Sequence, residues 1–233
     1  MAGKLLFPSL LWKHKENSPI IYLTFDDGPI PQVTPWVLSL LKEYDAKATF
    51  FCIGDNIKKH PEIFQQVLAE GHSIGNHTFN HLNGWKTSTG DYIQNVLLAE
   101  EEIFKQVGNS KFQIPNSGIS RRQKTENRKL KTENLQPTTK NQKLFRPPYG
   151  RIKPSEMKEL KRLGYTIVMW DVISEDYNQK RSEEKCFQGV VSQAGQGSII
   201  VFHDSKKASK NLMEILPRLL DFYKNKGYSF KAL

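Results

Sequence analysis

Short apolar runs alternate with amphipathic stretches along most of this 233-residue chain, and that rhythm narrows the choice of fold more than any other feature. Strand-like runs fall at 20–25, 48–53, around 72–76, 166–172 and 198–202. Helix-like stretches fall at 34–44, 61–70, 91–107, 154–163, 183–193 and 212–226, the second of them stopping at Gly71. Strands alternating with helices predict an α/β fold with a largely parallel sheet, either open or closed into a barrel. In such folds, polar residues that carry chemistry collect at the carboxyl ends of the strands.

One domain suffices for this length, and 38% hydrophobic residues are enough to fill its core. Residues 1–19 are expected to form an amino-terminal packing arm and residues 20–233 a catalytic domain. No apolar run approaches the roughly 20 residues of a spanning helix. The run Leu5–Trp12 is short and broken by Pro8, and no small-residue cleavage site follows it, so a secretory signal is not expected. A cytoplasmic or envelope-associated protein, monomeric by default, fits this pattern. Cys52 and Cys186 lack metal-ligand spacing and are expected to be buried, reduced thiols.

The net charge of +10 suggests nucleic acid until its distribution is considered. Residues 111–143 hold nine Lys or Arg against Glu126 and Glu133, a net of +7, which leaves about +3 for the rest of the chain. Lys124-Thr125-Glu126-Asn127 returns as Lys131-Thr132-Glu133-Asn134, and large apolar side chains are almost absent. Such a segment buries too little surface to offset its ordering entropy, so 110–143 is expected to be a flexible basic insertion within the domain. The alternative is an electrostatic arm that holds a polyanion near the site. Nucleic acid is not an expected partner, because the basic residues are not interleaved with stacking aromatics.

Two clusters stand at strand ends, and two further pieces join them. The first strand runs into Asp26-Asp27-Gly28-Pro29, adjacent carboxylates whose side chains leave an extended backbone in different directions and can divide labour between a metal and a water. Ordinary turn chemistry is the competing explanation. His77 and His81 are four apart, a spacing that places both imidazoles on one face of a helical turn, while His72 is expected to be structural. A carboxylate with two imidazoles leaves open positions for water and substrate, as catalytic metal sites do. Arg146 lies in the proline-stiffened stretch Phe145-Arg146-Pro147-Pro148-Tyr149-Gly150, and His203 ends an apolar strand. A surface ion pair for Arg146 and a core role for His203 remain open at this point.

Together, Thr24-Phe25-Asp26-Asp27-Gly28-Pro29, His77-Thr78-Phe79-Asn80-His81, Arg146-Pro147-Pro148-Tyr149-Gly150 and Val201-Phe202-His203 resemble the ordered motifs of the polysaccharide deacetylases, carbohydrate esterase family 4. The resemblance implies a distorted (β/α) barrel, usually seven-stranded, that removes acetyl groups, N-acetyl first, from a carbohydrate such as peptidoglycan or chitooligosaccharide. It also implies a divalent metal, zinc first, with cobalt, manganese or nickel as alternatives, held by Asp27, His77 and His81. Asp26 becomes the base, Arg146 its orienting partner, and His203 the general acid. Pro148, Tyr149, through its backbone N–H, and Tyr177 become substrate contacts. One motif departs from the family pattern: Ile173 stands where relatives carry an aspartate thought to tune the general acid. Asp171, on the same strand face, is the expected substitute. An amidase acting on a non-sugar amide and a catalytically silent carbohydrate-binding relative are the competing functions.

Overall fold

The computed structural model describes residues 7–109 and 143–233. Apart from Lys143, the basic insertion expected at 110–143 lies outside the described residues.

The framework is a sheet of short parallel strands: β1 (Ile20–Asp26), β2 (Ala48–Cys52), β3 (Ser73–Asn76), β4 (Lys143–Phe145), β5 (Tyr165–Ile167), β6 (Val172–Ile173) and β7 (Ile199–His203). Their spatial order is β5-β4-β3-β2-β1-β7-β6, and β8 (Ser229–Phe230) pairs with the start of β1. Seven strands thus curl into a half-barrel of the distorted (β/α) type. The helices are α1 (Val33–Glu43), α2 (Gly54–Lys59), α3 (Pro61–Ala69), α4 (Thr89–Asn109), α5 (Pro154–Arg162), α6 (Glu183–Val191) and α7 (Ser209–Asn225). Among the described residues, no helix is long and apolar enough to cross a membrane.

β1 and β2 are buried along their whole lengths, which explains why they read as continuous apolar runs instead of alternating ones. Phe25 stacks between Phe50 and Phe202 at centroid distances of 5.1 and 5.7 Å, locking β1, β2 and β7 together beneath the helices. In that register Asp26 lies opposite Phe51 on one side and His203 on the other. The ends of β1 and β7 therefore deliver their polar residues to the same place.

The amino-terminal arm packs where the half-barrel is open. The Leu11 N–H donates to the Ile167 carbonyl (3.0 Å), Leu11 accepts from Met169 N–H (2.7 Å), and His14 N–H donates to the Gly197 carbonyl (2.9 Å). Both cysteines are buried and unpaired. His72 is buried and accepts the Ala48 N–H at Nδ1 (3.2 Å), the structural role expected of it.

Candidate active site

The carboxylates come first in chain order. Asp26 closes β1 with extended backbone, and strict alternation would send the next side chain away from it. Asp27 instead has φ 86°, which turns its carboxylate back toward the same histidines: His77 Nε2 lies 4.0 Å from Asp26 Oδ2 and 3.8 Å from Asp27 Oδ1. The turn is pinned throughout. Asp204 N–H donates to the Asp26 carbonyl (3.0 Å), Asn56 Nδ2 to the Asp27 carbonyl (2.7 Å), and Gly28 N–H to Asp204 Oδ1 (2.9 Å). Asp204 Oδ2 also accepts the Thr34 hydroxyl at 2.6 Å. Burial pushes the Asp204 carboxyl up to about 8, while the Thr34 and Gly28 hydrogen bonds favour its charged form.

His77 and His81 do converge, with ring centroids 5.0 Å apart, but not on a helical turn. They sit on an irregular loop after β3 in which Thr78 and His81 both have positive φ, 64° and 56°. Side chains hold that loop: Asn76 Oδ1 accepts from Thr78 N–H (2.8 Å), and Asn95 Oδ1 on α4 accepts from Phe79 (2.9 Å) and Asn80 (3.0 Å) N–H groups. The four-residue spacing anticipated that the two rings converge, but not the geometry that brings them together. Of the seven non-glycine residues with positive φ among the described ones, Asp27, Thr78, His81, Tyr149 and Glu175 belong to these site segments. Each such conformation costs about 1–3 kcal/mol and persists only where the surroundings over-determine it.

A cation fits the space between these ligands. Asp27 Oδ1 is buried without a hydrogen-bond donor, although an unpaired buried acceptor is costly. It lies 3.3 Å from His81 Nε2 and 3.8 Å from His77 Nε2, and one ligand atom from each of the three residues falls within 4.8 Å of the others. Ligands held at about 2.1 Å around a tetrahedral zinc stand about 3.4 Å apart, close to these spacings. The His77 Nδ1 is 2.8 Å from the Arg146 carbonyl, which fixes the proton there and leaves Nε2 free to ligate. His81 Nδ1 lies 3.1 Å from the Tyr149 hydroxyl. Burial, reinforced at His81 by the neighbouring His77, holds both rings below the ordinary histidine value and so neutral, as ligation requires.

Arg146 is fully buried, and the surface ion-pair alternative is excluded. Its Nη1 donates to Asp26 Oδ1 (2.7 Å) and to Thr24 Oγ1 (2.7 Å), its Nη2 to the Met169 carbonyl (3.0 Å), and its guanidinium carbon lies 4.1 Å from the Phe51 ring centre. Burial alone would raise the Asp26 carboxyl, but Arg146, His77 and His203 outweigh it and hold the group below the usual carboxylate range. Pro148 is buried, and Tyr149 stands 60% exposed beside His81 with φ 60°.

The expectation for Asp171 is corrected by its position. It lies at the far end of β7, where it accepts from Ile199 N–H (2.7 Å) and the Ser198 hydroxyl (2.8 Å) and pairs with Lys13 (3.6 Å). Ile199 is four residues from His203, about 13 Å along a strand. The carboxylate that reaches His203 belongs to Asp176, whose Oδ1 lies 2.8 Å from His203 Nδ1 while its Oδ2 accepts the His203 N–H (2.8 Å). Burial works against a charged His203, but the charge and hydrogen bond of Asp176, with Asp27 and Asp26 behind it, raise the imidazole to about 9. The Tyr177 ring packs edge-on to His203 at 5.0 Å. Parity along an extended strand pointed to Asp171. The positive φ of Glu175 (56°) bends the chain out of that pattern, leaving Asp176 fully buried beside His203.

A parallel β/α half-barrel that gathers a carboxylate, two imidazoles and a second, arginine-held carboxylate at its strand ends has the parts of a hydrolytic site, and its three-residue cluster could hold a metal ion. Residues 13–168 match the polysaccharide deacetylase family, and the chain belongs to it, in carbohydrate esterase family 4. A peptidoglycan-N-acetylglucosamine deacetylase of Bacillus cereus is 33% identical over 220 residues, covering 94% of this chain and 88% of its own. A chitooligosaccharide deacetylase of Azorhizobium caulinodans is 32% identical over 189 residues, covering 81% and 75%. Among solved structures, the Bc1960 peptidoglycan N-acetylglucosamine deacetylase superposes with a TM-score of 0.79 at 27% identity, over 99% of this chain and 94% of that one.

Proposed function

We propose that this chain is a divalent-metal-dependent deacetylase that hydrolyses N-acetyl groups on an amino-sugar glycan of the peptidoglycan or chitooligosaccharide kind. The observation that carries the proposal is the convergence at one set of strand ends of an orphaned, buried Asp27 oxygen, two neutral imidazoles, an Asp26 carboxylate kept ionised by Arg146, and a His203 kept protonated by Asp176. The deacetylase relatives, of both peptidoglycan and chitooligosaccharide kinds, support the substrate class.

An acetamido carbonyl is a weak electrophile and its amine a poor leaving group, so the site must activate water, stabilise an oxyanion and protonate nitrogen. A divalent ion bound by Asp27, His77 and His81 supplies Lewis-acid polarisation and a lowered pKa for water. Asp26, ionised and aimed by Arg146, accepts a proton from the attacking water. The Tyr149 backbone N–H donates to the oxygen that gains charge. His203 gives its Nε2 proton to the nitrogen as the carbon–nitrogen bond breaks, releasing acetate and a free amine. Each proton transfer is worth about 10²–10⁴ in rate. A catalytically silent relative is disfavoured because base, ligands and acid are all present in reach of one another.

The test is acetate release measured side by side from peptidoglycan, chitooligosaccharides and acetylated xylan. Release from at least one of the two N-acetylated glycans, lost on chelation and restored by zinc or cobalt, is expected. Release from acetylated xylan alone would reassign the enzyme to O-acetyl esters, and release from none would refute the proposal.

A further inference from the structure

Two exposed aromatic side chains stand on the loops that form the site, and only Tyr149 has a place in the chemistry above. The other is Trp85, 62% exposed, on the 3₁₀ turn Gly84–Lys86 that follows His81. A large indole left in water on a catalytic rim calls for a partner.

The turn is rigid. Asn83 Oδ1 accepts from Trp85 N–H (3.1 Å), Thr87 Oγ1 donates to the Asn83 carbonyl (2.9 Å), and a Cβ at Gly84 would lie 2.6 Å from the Arg151 carbonyl oxygen. The Trp85 indole N–H reaches the Ile152 carbonyl (3.4 Å), and the Arg151 guanidinium lies 5.1 Å from the ring centre. Arg151 is exposed, and no ion pair or side-chain hydrogen bond holds its guanidinium among the described residues, so its N–H donors remain available. It follows Tyr149 by two residues, and Trp85 follows His81 by four, so the chain confines the pair to within about 7 and 14 Å of those site residues. Lys86 adds a second positive charge without an acidic partner in the same turn.

We propose that Trp85 and Arg151 form a glycan subsite beside the catalytic centre, which takes a sugar unit bearing a carboxylate. The indole offers a flat apolar face to the C–H face of a pyranose at little entropic cost. The guanidinium offers a forked donor pair that matches a carboxylate in geometry and charge. A neutral chitooligosaccharide can use the first contact but not the second. The subsite therefore biases the enzyme toward glycans with acidic substituents, such as peptide-free muramic acid units, whose lactyl carboxylate is not tied up in an amide. This inference rests on the deacetylase proposal for its setting, but it is read out by binding.

The experiment uses the full chain, zinc-loaded and carrying Asp26→Asn so that ligand is not consumed. Calorimetry compares chitotetraose with a peptidoglycan-derived tetrasaccharide of alternating N-acetylglucosamine and N-acetylmuramic acid. The acidic tetrasaccharide should bind about tenfold more tightly, the yield of one good charged contact at about 1.4 kcal/mol per decade. Arg151→Gln should erase that preference while leaving chitotetraose affinity unchanged. Trp85→Ala should weaken binding of both ligands, with Trp85→Phe retaining part of the affinity. Equal affinities for the two ligands, or a preference that survives Arg151→Gln, overturns the proposal. Acetate release by the wild type from both ligands is measured in parallel. Release without the binding pattern refutes the subsite alone, and the pattern without release refutes the deacetylase reading alone.

Discussion

Replacing Asp176 by Asn probes the proposed general acid, His203, without touching the proposed metal ligands or base. The Asp176 carboxylate contacts His203 Nδ1 at 2.8 Å and is fully buried, and it is the first of the influences that raise the imidazole from 6.5 to about 9. That difference corresponds to about 3 kcal/mol of preference for the protonated ring. A dication held by Asp27, His77 and His81 would repel the imidazolium and lower that value. On the proposed mechanism the active form carries the proton, and kcat/KM is expected to fall as pH rises through the His203 value. A neighbouring charge at this range moves a pKa by about 1–3, and Asp176→Asn should bring the alkaline limb down by that many pH units. The assay is the pH dependence of kcat/KM for acetate release from a chitooligosaccharide, with an acetyl ester of a good leaving group as control. The ester should lose less, because its leaving group depends less on the proton. An alkaline limb that stays in place while activity falls at every pH would refute the reasoning. It would reduce Asp176 to a holder of the His203 backbone through the second contact, His203 N–H to Oδ2 at 2.8 Å.

Other perturbations follow from the same geometry. Asp171→Ala should cost about 2 kcal/mol of stability by removing charge-assisted bonds to Ile199 and Ser198, yet leave the pH profile where it is; a shifted alkaline limb would restore the tuning role to Asp171. Gly28→Ala places a methyl 1.9 Å from Asp204 Oδ2, so it should cost about 1–3 kcal/mol and weaken metal retention by displacing the Asp26–Asp27 turn; normal metal content and melting temperature would contradict this. Burial holds His72 down to about 4 in the folded protein, so between about 6.5 and 4 the unfolded chain binds the extra proton, and stability present above that window is lost as pH falls through it. His72→Phe should flatten that part of the pH dependence of urea unfolding and cost about 1–3 kcal/mol at neutral pH, from the orphaned Ala48 N–H; an unchanged slope would refute it.

The long buried strands and the amphipathic helices were legible because their patterns span several residues. β1, β2 and β7 show apolar runs, and α1, α3, α5, α6 and α7 lie within a few residues of where the sequence places them. The stretch read as one strand over 166–172 is two, β5 and β6, separated by the backbone that pairs with Leu11. β4 and β8 are two or three residues long and exist only because neighbouring strands complete them, so no local pattern marks them. The residues that converge at the strand ends were legible by type and order, their geometry much less so. Positive φ at Asp27, Thr78, His81 and Glu175 breaks the periods on which sequence reasoning relies. That is why His77 and His81 meet without a helix, and why Asp176 takes the place expected of Asp171. Asn95, which holds the histidine loop from fourteen residues beyond His81, carries no signal in the sequence at all.

Metal content and acetate release, determined on the same samples of wild type, Asp27→Ala and Asp26→Asn, test the central claim most directly. One zinc per chain and full turnover are expected for the wild type, loss of both in Asp27→Ala, and zinc retained with turnover abolished in Asp26→Asn. Undiminished acetate release from the metal-free wild type, or from Asp26→Asn, would contradict it.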